Sequence, residues 1–475
     1  MTIPYLIGAI AIAISLFFNR NKKLNYILVA IFLLLQWAFA IYEYNHQNIV
    51  EFDYFLPDAL GILLLVTISI IAVPAFYHSY VFFTKNEDNP RNRAMYYASM
   101  VVLIFALSLA YLSNHIAVTW IFVEMTTLSA SALIYHRRNV RTLEGTWKYI
   151  FVCSISITFV FIGILFLSIA VQEVGDNNLT FASLLNSASG LDIFWLRLAF
   201  IFIFTGYTAK IGLVPMYTAG IDAKDKAPSP AGALLSSVLM NVGFVGIFRF
   251  YEIIAQTTLH SWANNIIMIS AVLSIFIATV YMIKVKNIKR MFAYSSIEHM
   301  GIVMLGIAAG GIGYYAAILH IILHSFVKSG LFFQMGQIYR TFNSKSIYDV
   351  GNYFKYNLTG AMVVLLGFIS ATAMPPSGLF VSEFLIFRSL FEAHYLFILI
   401  FVLLLLTIII WAFGKNIFKL LFTPAVGFKD ENIEKIKPYE SISQFILFGL
   451  VVYLGINPPH QMVDLINEAV KNLPL

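Results

Sequence analysis

The chain carries very little that could face water. Of its 475 residues only 11% are Asp, Glu, Lys or Arg, against about 25% in ordinary soluble domains. There is a single cysteine, Cys153, which excludes a disulfide framework, a cysteine-ligated zinc and an iron–sulfur cluster. Nucleotide and flavin motifs are missing as well, and GGIG at 310–313 reads as a turn rather than a phosphate loop. No cofactor is therefore expected. What the chain does have is 60% hydrophobic residues, with 43 Phe and 26 Tyr. A soluble globular enzyme, a disordered chain and a nucleic-acid binder are all excluded. The net charge of +6 belongs to membrane topology rather than to an acidic partner.

A membrane-crossing helix needs about 20 mostly apolar residues. Reading for such runs predicts an all-α integral membrane protein of about fourteen spans, near 3–18, 24–42, 58–84, 95–113, 116–135, 149–171, 196–218, 229–254, 264–283, 291–308, 313–339, 359–386, 394–422 and 441–456. The first run begins at Ile3 with no basic residue ahead of it and no small-residue cleavage site, so it reads as a retained helix. No soluble domain fits anywhere, and the largest expected loop runs from about Phe422 to Glu440. One polytopic domain is expected: N-terminal helices in 1–94, a first repeat in 95–254, a second in 264–422, and a C-terminal helix and tail in 441–475.

The basic residues test this topology. Of 30 Lys and Arg, 24 fall in loops after odd-numbered spans, including Arg93, Lys224, Lys226, Lys289 and Lys429. Loops after even-numbered spans hold only Arg197, Arg249 and Arg388, and the tail adds Lys471. The positive-inside rule then places the odd loops in the cytoplasm and both termini outward. A miscounted helix would scramble the separation.

Two basic residues remain, Lys210 and Lys328, both inside apolar spans, together with Glu124, Glu298 and Glu383. A charge at the bilayer centre costs about 2.5–3.5 kcal/mol on insertion scales, so these five must face one another, polar groups or water. Lys210 lies just before Gly212 and Pro215 in span seven; Pro375, Pro376 and Gly378 lie just before Glu383 in span twelve. Proline removes a helical N–H and clashes with the preceding turn, so both spans are predicted to break mid-membrane. Backbone freed at that depth is tolerated only against a cavity or within protein, and paired breaks of this kind point to a transporter built from inverted repeats. The spacing agrees: Lys210 to Glu383 is 173 residues and Glu124 to Glu298 is 174. Spans 4–8 and 9–13 are read as two inverted five-helix repeats, with helices 7 and 12 broken. His320, His324 and Lys328 recur at helical spacing, which suits a proton relay. The competing readings are a structural ion pair for Lys210 and a satisfied polar stripe for the histidines. A metal at His320 and His324 lacks further ligands in the sequence, and no metal is expected.

Four motifs then carry a resemblance over nearly the whole chain. AKIGLVPMYTAGIDAKDKAPSPAGALLSSVLMNVGFVGIFRF, KNIKRMFAYSSIEHMGIVMLG, LHIILHSFVKSGLFF and PPSGLFVSEFLIF resemble the antiporter-like subunits of the complex I superfamily. That superfamily includes membrane subunits of NADH:quinone oxidoreductase, of group 4 membrane-bound hydrogenases and of Mrp-type cation/proton antiporters. WKYIFVCSIS at 147–156 and IEHMG at 297–301 look most like component F of hydrogenase-4. The longest antiporter-like subunit is a poor match, because no long lateral helix follows span fourteen. The resemblance implies that Glu124 tunes Lys210, that Glu298, His299, His320, His324 and Lys328 form a central relay, and that Glu383 exchanges protons with the far side. The implied partners are other membrane-arm subunits and a peripheral hydrogenase or NADH-oxidising arm, in the cytoplasmic membrane of a prokaryote. The cargo would be protons, with sodium as the alternative; the rival readings are an antiporter without redox chemistry and a non-conducting structural module. The chain departs from the family in two places. Tyr217 to Ala223 replace a His-Thr-Trp-Leu-Pro-Asp-Ala run, and Asn241 stands where several relatives place a lysine. Lateral transfer from Lys210 towards Lys328 would then use water, Asn241, Ser236 or Ser237.

Overall fold

Polar side chains cap the start of several helices. In the computed structural model, which describes residues 1–85, 89–173, 175, 178–424 and 434–474, the described residues form α-helices, short 3-10 turns and isolated bridges but no strands. Lys429 and the middle of the expected 422–440 loop lie outside the described residues. The N-terminal part is α1 (Thr2–Phe18), α2 (Lys22–Asn45), α3 (Ala59–Lys85), α4 (Pro90–Leu112), α5 (Ile116–Ile134) and α6 (Val140–Glu173). Asn21, Asn89 and His115 each accept a backbone N–H at the start of α2, α4 and α5, satisfying donors that a helix N-terminus leaves open. After the short α7 (Phe181–Ser187) come α8 (Ile193–Ile211), capped by Asp192, then α9 (Thr218–Lys226), α10 (Ser229–Ser236) and α11 (Val238–Ala255). The second half comprises α12 (His260–Ile283), α13 (Ile288–Ala309), α14 (Ile312–Phe342), the single turn α15 (Tyr353–Tyr356), α16 (Leu358–Ala371), α17 (Gly378–Glu392), α18 (Leu396–Phe422), α19 (Ile442–Ile456) and α20 (His460–Val470).

Among the described residues, twelve helical segments are long and apolar enough to cross a membrane, and Thr2–Phe18 and Leu358–Ala371 are shorter apolar helices. Together they match the fourteen expected spans, and the chain is a multi-pass membrane protein. Large apolar side chains face outward where a soluble protein would be polar: Leu34 is 73% and Phe397 82% exposed. Side chains of this kind suit contact with lipid or with another membrane-embedded protein.

By internal packing the chain divides into two units. The first holds 1–227, 238–266 and 464–475, and the second holds 228–237 and 267–463. Each contains one of the two expected breaks. In the first unit α8 ends at Gly212, which takes the left-handed conformation (φ 86°), one that glycine adopts without a Cβ clash. A cis Val214–Pro215 bond follows before α9. In the second unit α16 ends at Ala371, a cis Pro375–Pro376 bond follows, and Ser377 caps α17 by accepting from the Leu379 N–H. Gly378 then lets α17 touch α19: a Cβ on Gly455 would lie 2.0 Å from the Gly378 Cα, so the helices meet backbone to backbone.

A third interruption falls at Ser237 (φ −121°, ψ −95°), between α10 and α11. The hydroxyls of Ser236 and Ser237 both donate to the Ala233 carbonyl, at 3.3 and 2.7 Å. Serine hydroxyls that bond back along a helix compete with its backbone ladder.

Candidate functional site

In the first unit the break brings α8 to an end one residue after Lys210, so its ammonium is held by side chains of α5. Lys210 is buried, and its Nζ donates to Thr127 Oγ1 at 2.7 Å and to Thr126 Oγ1 at 3.2 Å. Thr127 in turn donates to Glu124 Oε2 at 3.2 Å. The link between the lysine and the fifth-span glutamate thus runs through a hydroxyl, which accepts from one and donates to the other. Glu124 is half-buried, while the Tyr149 ring lies 5.7 Å beneath the Lys210 ammonium. A hydroxyl so placed has the hydrogen-bonding capacity to link an amine to a carboxylate.

Gly243 sets the approach of α11 to this point: a Cβ there would stand 2.4 Å from the Ile211 nitrogen, one residue beyond Lys210. Gly243→Ala is therefore expected to displace the end of α8, costing about 1–3 kcal/mol of overpacking and lowering proton flux several-fold although no titratable group is lost. Flux in membrane vesicles, read beside the melting temperature of the purified protein, checks this.

In the second unit the break does different work. The last carbonyls of a helix have no intrahelical partner, and that of Ala371 sits 3.1 Å from His299 Nε2. A carbonyl only accepts, so Nε2 of His299 carries a proton, and whenever the ring is neutral Nδ1 presents a lone pair. That Nδ1 lies 3.1 Å from His320 Nε2 and 3.5 Å from Glu383 Oε1. The other nitrogen of His320 meets Ser382 Oγ at 2.9 Å. His324 contributes its ring, 5.4 Å from that of His299. One helical turn along α14, Lys328 has no exposed surface and donates to Ser295 Oγ at 2.6 Å. Glu298 and Glu383 are the carboxylates whose charge it feels, and Glu298 Oε2 makes no hydrogen bond to protein.

Of the expected relay residues, the structure thus gathers His299, His320, His324 and Glu383 into one cluster, with Lys328 and Glu298 close enough to act on it electrostatically. Ser329, beside Lys328, donates to Ser237 at 3.1 Å within the same unit. Asn241 is buried in α11 of the first unit.

Sequence reasoning left several residues out. Thr126, Thr127, Ser295 and Ser382 supply the hydroxyls, and no pattern singles them out among the serines and threonines. Lys224, expected in a cytoplasmic loop, is 4% exposed on α9 beside the break, with its Nζ 3.0 Å from Met240 Sδ. Its neighbour Asp225 is buried and pairs with Lys226 at 3.0 Å. Arg249, expected at an outer loop, is buried too: it donates to the carbonyls of Tyr111 and Ser113 at the end of α4 and pairs with Asp58 at 2.8 Å. Lys210 and Lys328 are consequently not the only buried basic residues.

The family described as NADH:quinone oxidoreductase/Mrp antiporter, TM, matches residues 113–409, well over half of the chain. The chain belongs to this family. Its matched region takes in both breaks and both lysine sites. A Hydrogenase-4 component F homolog from Methylacidiphilum infernorum is 30% identical over 347 residues, which is 71% of this chain and 73% of that protein. Hydrogenase-4 component B of Escherichia coli is 27% identical over 350 residues, 70% of this chain but only half of that longer protein. Among solved structures, the membrane-bound sulfane sulfur reductase, an archaeal respiratory membrane complex, contains a chain that superposes with a TM-score of 0.86 at 19% identity, covering 99% of this chain and 96% of that one. At that identity the likeness concerns the antiporter-like fold.

Proposed function

We propose that this chain is a proton-translocating membrane subunit of a redox-driven complex of the hydrogenase or NADH:quinone oxidoreductase type. The observation that carries the reading is the pairing, in each unit, of a buried lysine with hydroxyl partners and a broken helix. Freed backbone at that depth is tolerated where it lines a water-filled cavity or is buried in protein, and an amine hydrogen-bonded to hydroxyls can gain and lose a proton without leaving its place. Glu124 and Lys210 would load protons in the first unit. Glu298, Lys328, the histidines and Glu383 would carry and release them in the second. The chain has one cysteine and so supplies no iron–sulfur cluster. The driving electron transfer belongs to a peripheral hydrogenase or NADH-oxidising arm, joined to this chain through other membrane-arm subunits. The membrane would be the cytoplasmic membrane of a prokaryote, and the distribution of basic residues supports the orientation with the odd loops inside and both termini outward.

The family's own description includes Mrp antiporters, and that favours a second reading: cation/proton exchange without redox chemistry, with sodium as the countercation. Purification of the assembled complex separates the two. A nickel–iron or NADH-oxidising arm should accompany the chain; small membrane subunits alone would support the antiporter. In vesicles containing the redox complex, Lys210→Met is expected to remove most redox-driven proton flux while assembly is kept. Unchanged flux would make Lys210 a structural ion-pair member and return its unit to a supporting role.

A further inference from the structure

We propose that His299, His320 and Glu383 constitute a binding site for a divalent transition-metal ion, best suited to zinc, inside the second unit where α13, α14 and α17 meet. The donor atoms of these three side chains all lie within 4.8 Å of one another. The closest pairs are His299 Nδ1 to His320 Nε2 at 3.1 Å and His299 Nδ1 to Glu383 Oε1 at 3.5 Å. Two ligands of a tetrahedral zinc, each about 2.0–2.1 Å from the metal, stand about 3.3–3.4 Å apart. These two separations lie on either side of that value, and no pair among the three ligands exceeds 4.8 Å.

The surrounding groups hold the ligands in the same sense. A metal-bound imidazole almost always gives its other ring nitrogen to a carbonyl, carboxylate or hydroxyl. Here His299 Nε2 faces the Ala371 carbonyl at 3.1 Å and His320 Nδ1 faces Ser382 Oγ at 2.9 Å. The two nitrogens that remain face each other, and that of His299 also faces Glu383. Two imidazoles and one carboxylate select zinc or cobalt over magnesium, calcium or sodium, which prefer all-oxygen shells. Three protein ligands leave one tetrahedral position for water. Of the three, Glu383 is the one with exposed surface, 7% against none for the histidines, so an ion would arrive past the carboxylate. Glu298 adds a second carboxylate nearby, which helps to balance a double positive charge, and Lys328 opposes it.

Metal binding itself does not depend on the proton reading. Its consequence does: an ion held by Nδ1, Nε2 and Oε1 occupies the lone pairs through which the cluster would pass protons, so zinc would block flux. The test uses the purified complex with cobalt(II) as the probe. One cobalt per chain should bind, with the visible bands of a four- or five-coordinate ion, and zinc should displace it. Ser382→Ala, which removes only a supporting hydroxyl, should weaken binding by about 10–100-fold, and His320→Gln should abolish it. Each variant is first checked for assembly by gel filtration. Absence of cobalt binding at micromolar concentration, or binding indifferent to both substitutions, would overturn the site. If cobalt binds and His320→Gln removes it, yet zinc leaves wild-type proton flux untouched, the metal site stands and the proton route through this cluster falls. If nothing binds while Lys328→Met stops flux, the site falls and the proton reading stands.

Discussion

Lys328→Met is expected to stop proton flux through the second unit while the complex still assembles, a loss of about a hundredfold or more, which is the low end of what a positioned proton-transfer group contributes. Lys328 has no exposed surface and gives its ammonium to the hydroxyl of Ser295 at 2.6 Å. An ionisable group at that depth is expensive and is retained where a site uses it. Methionine is a good probe because it is unbranched and fills the same slot among α13 and α14, so packing loss is small. The discriminating companion is Lys328→Arg. Arginine keeps the positive charge and the hydrogen-bonding capacity but does not give up its proton. If Lys328 carries protons, arginine leaves flux abolished. If the charge only holds helices together, arginine restores it, and the assignment fails.

The second large effect belongs to Glu383→Gln. The glutamine amide matches the carboxylate in size and still hydrogen-bonds, so α17 should keep its seat against α19, where Gly378 and Gly455 touch. What is lost is a group that takes up and releases protons. Glu383 sits 3.5 Å from His299 Nδ1 and is the member of the cluster with surface exposure. Its replacement should cut flux by about a hundredfold, again the low end for a lost proton-transfer group, whereas Glu383→Asp should retain part of it. Vesicle acidification driven by the redox reaction measures both. Equal proton yields from wild type and Glu383→Gln would remove Glu383 as the outlet.

The framework was legible in the sequence because the bilayer imposes a simple rule. Fourteen apolar runs, and prolines beside Lys210 and Glu383, are one-dimensional signals, and the helices α8 and α16 end where glycine and proline said they would. The interruption at Ser237 was not legible, because no proline or glycine stands at that position to mark it. Nor was the pairing of His299 with His320. Helix α13 is buried over almost its whole length, so no polar stripe marks which side chain of IEHMG faces α14. Spacing along α14 points to His320 with His324, and contacts between helices add His299 and Glu383 to them. Lys224 reads as a loop cation because it lies between two apolar runs, yet it is buried on α9, which follows the break.

The central claim is that buried lysines in this chain carry the transported protons, and counting protons per electron pair tests it most directly. The assembled complex is placed in sealed vesicles, the redox reaction is started, and the proton-to-electron ratio is compared between wild type and Lys328→Met. The account predicts a lower ratio for the variant at an unchanged complement of subunits. An equal ratio in fully assembled Lys328→Met complex would contradict it.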